Sequence, residues 1–179
     1  TEVSIKAGYD VILKDISLEG LGNALKTIWG DFTKLVKRKA MGAVERDKLM
    51  SKITATTKET DMKEVDLVIE AVFEDSALKA KVTQEAEAKL AEDGIFTSNT
   101  STIPITQLAE ASSSPDKFIG LHFFSPVDKM PLVEIITGKK TSDETLAKAF
   151  DFVLQIKKTP IVVNDSRGFF TSRVFGTFV

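Results

Sequence analysis

Short apolar, β-branched runs alternate along this chain with stretches whose apolar side chains recur every three or four residues. That alternation limits the fold more than any other feature. Tyr9 to Lys14 is a strand-like run leading straight into Asp15, and Leu21, Leu25, Ile28, Phe32 and Leu35 then follow at helical spacing. Arg46 to Ile53 reads as a second helix, followed by an extended stretch from Ile53 to Thr56. Val65 to Val72 reads as a buried strand. Leu78, Val82, Ala86 and Leu90 behind it predict a helix that Gly94 is placed to stop. Ile95 to Ser98, Phe118 to Phe124, Leu132 to Ile136 and Thr159 to Asn164 are further strand candidates. Thr141-x-x-Glu144 predicts a capping box opening a helix with Leu146, Phe150, Val153 and Leu154 on its buried side. Near-continuous apolar strands separated by helices predict an α/β fold with a mainly parallel sheet.

Composition removes several classes of function. With 179 residues, 42% hydrophobic and 28% charged, the chain fits a globular domain with a substantial core. Its 24 basic and 26 acidic side chains give a formal charge of −2, so nothing points to a nucleic-acid partner. There is no cysteine and one histidine, which excludes disulfides and thiolate metal sites and leaves no ligand set for a metal. No apolar run reaches the roughly 18 residues of a membrane span, and the first residues lack a signal-peptide pattern. A cytoplasmic protein is the expectation.

The one histidine, His122, ends the Phe118 run, and Glu134 lies inside the apolar run Leu132 to Ile136. A histidine beside aromatics reads, taken alone, as a hydrogen-bonded core residue. A carboxylate in an apolar strand is costly to bury without a partner, and His122 is the obvious one. Pro126 and Pro131 between the two runs suit a chain reversal that would bring them together. The pair would be a general base with an orienting carboxylate. In parallel sheets ligands bind beyond the carboxyl ends of the strands. Asp15, Glu74, the stretch Ser98, Asn99, Thr100, Ser101, and His122 all fall at such ends and are expected to line one crevice.

The strings IEAVFED (Ile69 to Asp75), SNTSTIPI (Ser98 to Ile105), GLHFFSPVDKMPLVEII (Gly120 to Ile136), KTPIVVND (Lys158 to Asp165) and RGFFTSR (Arg167 to Arg173) carry a resemblance. In order and spacing they resemble the L-3-hydroxyacyl-CoA dehydrogenase family, above all the dehydrogenase part of multifunctional fatty-acid β-oxidation enzymes. The resemblance implies a Rossmann-type dinucleotide-binding domain over 1–166, here lacking its first strand and Gly-rich loop. It also implies the start of a C-terminal helical domain over 167–179. On this reading the chain opens inside the first helix of the domain, and the piece by itself is expected to hold its cofactor poorly.

The same resemblance implies roles for particular residues. Asp15 would accept hydrogen bonds from the adenosine ribose, favouring NAD over its 2′-phosphorylated form. Taken without the resemblance, Asp15 reads as an N-cap for the helix beginning near Leu18, a place Ser17 could also fill. Val72, Phe73, Glu74, Lys79 and Ser125 match cofactor-contacting positions. Without the resemblance Lys79 would read as a solvated helix charge. Ser101 would approach both nicotinamide and the substrate hydroxyl; Asn99 is a second candidate for that place, with holding the loop through its amide as its alternative. His122 and Glu134 match the catalytic pair. Ser172 and Arg38 match substrate positions, Arg38 within the basic cluster Lys34, Lys37, Arg38, Lys39. Ser125 and Ser172 stand where many members have Asn.

The implied activity is NAD-dependent oxidation of (S)-3-hydroxyacyl-CoA to 3-oxoacyl-CoA. The parent would be a homo-oligomer, fused to or complexed with enoyl-CoA hydratase and thiolase. The alternatives are a stand-alone 3-hydroxybutyryl-CoA dehydrogenase and a non-catalytic fragment binding CoA or a dinucleotide. Phe169, Phe170, Val174, Phe175 and Phe178 are many large apolar groups for a chain end and are expected to pack against something.

Overall fold

The computed structural model describes residues 1–176. The chain divides into two compact units, one from Thr1 to Met62 and one beginning at Lys63. The first contains α1 (Glu2–Lys6), β1 (Val11–Lys14), α2 (Leu18–Lys37), α3 (Ala43–Met50) and β2 (Ile53–Thr56). β1 and β2 pair in parallel, Val11 opposite Ile53. Ser17 caps α2 by accepting the Gly20 N–H at 3.0 Å. The helical spacing then delivers Ile28 and Phe32 onto Ile5, with Leu35, Val11 and Ile53 packed around them. α3 starts at Ala43, three residues before the expected Arg46. Glu45 reaches back to the Gly42 N–H at 3.4 Å, supplying a start signal that apolar spacing does not register.

The second unit holds β3 (Val65–Glu70), α4 (Ser76–Glu87), β4 (Leu90–Ser98), α5 (Ile105–Leu108), β5 (Phe118–Phe123), β6 (Leu132–Thr137), α6 (Asp143–Gln155), β7 (Thr159–Asn164) and α7 (Thr171–Gly176). Its sheet is five-stranded in the order β3-β4-β5-β6-β7. Every neighbouring pair is parallel except β5 and β6, which run antiparallel through the expected reversal. Phe118, Ile119, Leu121, Ile135 and Ile136 are completely buried in its centre. Such side chains each stabilise by ~1.5–3 kcal/mol relative to exposure.

Two expected helix boundaries are corrected. Leu90 belongs to β4 and not to the helix before it, and Gly94 lies inside that strand rather than ending a helix. The β3–β4 register slips here, from Val65 opposite Leu90 to Leu67 opposite Ile95. A Cβ on Gly94 would sit 2.8 Å from the Val65 carbonyl oxygen, so the glycine serves a close backbone approach. The four-residue spacing also misplaced the buried face of α4. Lys79, Thr83 and Ala86 point inward, and Leu78 is exposed.

The capping box at Thr141 is the second correction. Ser142 caps α6, accepting the Thr145 N–H at 3.2 Å. The Thr141 hydroxyl instead donates to the Phe118 carbonyl at 2.7 Å, tying the loop to the sheet. Glu144 pairs with Lys148 at 2.7 Å rather than reaching back. The inward face of α6 is Thr145, Ala149, Phe152 and Val153, and Leu154 is exposed. At the chain end Phe169 is buried, Phe170, Val174 and Phe175 are exposed, and Phe178 lies outside the described residues. Among the described residues no helix is long and apolar enough to cross a membrane.

Candidate active site

β3, β4 and β5 are mutually parallel, so their carboxyl ends fall on one edge of the sheet. The segments leaving that edge are 71–75, 99–104 and 124–131. Antiparallel pairing sets His122 directly opposite Glu134. Their side chains meet with His122 Nδ1 2.7 Å from Glu134 Oε2. Glu134 is fully buried and His122 nearly so. The imidazole lies against Phe124, ring centroids 4.6 Å apart, and Phe169, 5.9 Å apart. Burial alone raises the Glu134 carboxyl. Hydrogen bonds from the Thr171 hydroxyl, from His122 and from the Thr171 N–H, with the attraction of His122, outweigh it and hold the group below its ordinary value. A carboxylate accepts only, so it draws the imidazole proton to Nδ1 and leaves the Nε2 lone pair as the base.

The second oxygen of Glu134 is equally occupied. Oε1 accepts from the Thr171 N–H at 2.7 Å, the Thr171 hydroxyl at 2.6 Å and the Phe170 N–H at 3.2 Å.

Glu74 organises the loop after β4. Its Oε1 accepts from the Thr100 hydroxyl at 2.6 Å, the Ser101 N–H at 2.9 Å, and the Thr102 N–H and hydroxyl at 2.9 and 3.0 Å. Burial raises its pKa, but those donors lower it further, to about 2. The contribution of Glu74 to stability is therefore complete above the ordinary carboxyl value and fades as pH falls toward 2. Between about pH 5 and about pH 2, the urea midpoint of the Glu74→Gln protein should fall less than that of the wild type. Equal falls in the two proteins would remove the loop-anchoring role. Asn99 is in this loop too, its Oδ1 accepting the Phe123 N–H at 2.9 Å and tying the loop to β5, the second of its two expected roles. Ser101 is left exposed at the loop's tip.

Lys79 is no solvated helix charge. It is 1% exposed, and its Nζ donates to Glu70 Oε1 at 2.8 Å, Glu70 Oε2 at 3.0 Å and the Val72 carbonyl at 3.3 Å. Glu74 Oε2 lies 3.5 Å away. Glu70 also accepts from the Ser98 hydroxyl at 2.6 Å and the Val72 N–H at 2.6 Å. This network fixes the 72–74 segment, where Phe73 is 87% exposed.

Ser125 is exposed just beyond β5, and Ser172 is exposed in the first turn of α7. Asp15 and Arg38 belong to the N-terminal unit. Ser17, not Asp15, caps α2, and Asp15 Oδ1 accepts the Ser17 N–H at 2.9 Å. Arg38 is exposed at the C-terminal end of α2. Sequence reasoning gave no role to Glu70 or Thr171, and expected of Phe169 only that it pack against something, which it does against His122. Glu70 had the same signal as Glu134, a carboxylate in an apolar run. Thr171 had none, because only the tertiary turn brings it to Glu134. Among the described residues no group of three or more His, Cys, Asp or Glu side chains could hold a metal ion.

A mainly parallel sheet with crossover helices, and a histidine–carboxylate pair at the end where such sheets take ligands, defines an α/β dinucleotide-binding domain of dehydrogenase type. Residues 1–166 match the family described as "3-hydroxyacyl-CoA dehydrogenase, NAD binding domain". The chain belongs to that family, whose cofactor is NAD. It is 48% identical over 174 residues to the fatty acid oxidation complex subunit alpha of Shewanella frigidimarina, covering 97% of this chain and 24% of the relative. The corresponding subunit of Shewanella amazonensis is 49% identical, with 97% and 25% covered. The chain thus spans about a quarter of the curated relatives it matches. Among solved structures, M. tuberculosis FadB2 superposes with a TM-score of 0.94 at 31% identity, covering 99% of this chain and 63% of that one. The (S)-3-hydroxybutyryl-CoA dehydrogenase PaaH1 of Ralstonia eutropha gives 0.93 at 36% identity, covering 97% and 62%.

Proposed function

We propose that the protein oxidises (S)-3-hydroxyacyl-CoA to 3-oxoacyl-CoA in fatty-acid β-oxidation, residues 1–166 forming its NAD-binding domain and 167–179 opening a helical one. The observation that carries this reading is the 2.7 Å contact between His122 Nδ1 and buried Glu134. NAD, when bound, accepts the hydride released from C3. His122 Nε2 takes the proton of the C3 hydroxyl as the hydride departs. Glu134 holds the imidazole tautomer and stabilises the imidazolium that forms. The Phe124 and Phe169 rings limit water around the ring, which strengthens that electrostatic support. Ser101, presented by the Glu74-anchored loop, would hydrogen-bond the substrate oxygen and contribute to the nicotinamide site.

The residues at the sheet edge fit a dinucleotide. Exposed Phe73 and the Val72 backbone offer an apolar and polar ledge with Glu74 beside it, and Ser125, exposed just beyond β5, adds a further cofactor contact. Lys79, enclosed under that ledge, acts on the cofactor through the Val72 carbonyl and Glu74. Asp15 accepts from the adenosine ribose, while Ser172 and Arg38 serve the acyl-CoA. The relatives are named as the alpha subunit of a fatty acid oxidation complex and extend well beyond this chain, which supports a multifunctional parent. We propose for it fused or associated enoyl-CoA hydratase and thiolase activities, a homo-oligomeric state and a cytoplasmic location. The likeness to the Ralstonia enzyme keeps a stand-alone hydroxybutyryl-CoA dehydrogenase as the second reading.

The test is NADH formation, followed by absorbance, from NAD and 3-hydroxyacyl-CoA thioesters of short and long chain with the full-length protein. Turnover is expected. Preference for the four-carbon thioester favours the second reading. No turnover on any chain length would leave a CoA- or dinucleotide-binding role instead.

A further inference from the structure

We infer that Thr171 is a positioning residue for the His122–Glu134 pair, locking the Glu134 carboxylate through the oxygen that His122 does not use. This rests on the dehydrogenase reading of the site. A carboxylate that holds only a histidine can rotate about its terminal torsion, and the imidazole follows it. Here rotation is blocked. Oε2 is fixed on His122 Nδ1 at 2.7 Å, and Oε1 receives the Thr171 hydroxyl at 2.6 Å and the Thr171 N–H at 2.7 Å. The Phe170 N–H adds a third donor at 3.2 Å.

The chain makes an unusual turn to deliver these groups. Gly168 and Phe169 are consecutive left-handed residues, φ 76° and 47°. Phe169 is not a glycine, so its conformation carries a cost that the surrounding contacts must offset. The turn puts the Phe169 ring against His122 and aims the next two N–H groups at Glu134. One turn therefore supplies both a wall for the imidazole and the clamp for its partner. The two backbone donors exist whatever side chain follows Phe170. The hydroxyl is the part of the clamp that sequence can remove. It is also the strongest of the donors that keep Glu134 ionised. His122 on β5 is the titratable group facing Glu134. β7 opposes it with Ile161, and the turn into α7 with Phe170 and Thr171.

The test compares Thr171→Val, of nearly the same shape without the donor, and Thr171→Ser, which keeps it, in the full-length protein. In Thr171→Val, kcat for NADH formation should fall about 10-fold with KM for both substrates within about twofold, as expected when a general base loses its alignment. Without the Thr171 hydroxyl the Glu134 carboxylate keeps more of its negative charge for His122, so the pair takes up its proton at higher pH and the acid limb of the kcat profile should move to higher pH with it. Thr171→Ser should restore both rate and limb. A merely structural threonine would lower Tm in both variants and leave the pH limb in place. An active wild type with Thr171→Val unchanged in kcat and pH limb overturns the inference. An inactive wild type overturns the dehydrogenase reading itself, so the two failures are distinguishable.

Discussion

His122→Ala in the full-length protein should lose about 10²–10⁴-fold in kcat for 3-hydroxyacyl-CoA oxidation, with KM for NAD and for the thioester little changed. The imidazole is held by Glu134, Phe124 and Phe169 and is 8% exposed, so its working surface is the small Nε2 end. Such a surface contributes little to ground-state binding. Its contribution comes when the hydroxyl proton moves, and removal should therefore appear in kcat. The loss has an internal control in binding, because NADH titration by fluorescence should give a Kd near that of the wild type. A variant that turns over within about threefold of wild type would remove His122 as the base. A variant that no longer binds NADH would show that the substitution disturbed the pocket rather than the chemistry.

That experiment turns on a pair visible in the sequence before any coordinates. A lone histidine at the end of one apolar run and a carboxylate inside the next can be read as partners because burying Glu134 alone is costly. Antiparallel pairing then sets them opposite each other. The alternation of runs likewise yields strands β1 to β7, all within two residues of their observed limits except β4, which begins at Leu90 rather than Ile95. Failures occur where local pattern and tertiary contact disagree. Leu90 continues the spacing of α4 yet pairs with Val65 in the sheet, and Gly94 serves a backbone approach that no one-dimensional pattern records. Thr141 has the spacing of a capping box, but the Phe118 carbonyl claims its hydroxyl. The site has the same limit. Glu74 is conspicuous, but its hold on Thr100, Ser101 and Thr102 joins segments far apart in the chain. Lys79 looks like any surface lysine of a charged helix until Glu70 is found facing it.

Lys79→Met should be among the most destabilising single changes in the protein. It leaves Glu70, itself 3% exposed, as a buried carboxylate without its cation. Breaking a buried pair from one side costs ~3–5 kcal/mol, because the remaining charge has neither water nor partner. Ser98 and the Val72 N–H would still donate to Glu70 at 2.6 Å each, placing the expected loss toward the lower end of that range. The informative variant is the double one. Glu70→Gln with Lys79→Met removes both charges while keeping an oxygen to accept the Val72 N–H and an amide N–H to donate to the Ser98 hydroxyl. It should recover at least about 1 kcal/mol relative to Lys79→Met alone, the range seen for contacting pairs. Urea unfolding of the four proteins in the cycle measures this. Full additivity would mean that the 2.8 Å contact carries no net coupling and that Lys79 matters as a packed side chain only. Coupling of the expected size would mean that the ledge at residues 72–74 is held by charge. Its rigidity would then come from the same buried lysine that supports Glu74 and the Val72 carbonyl from below.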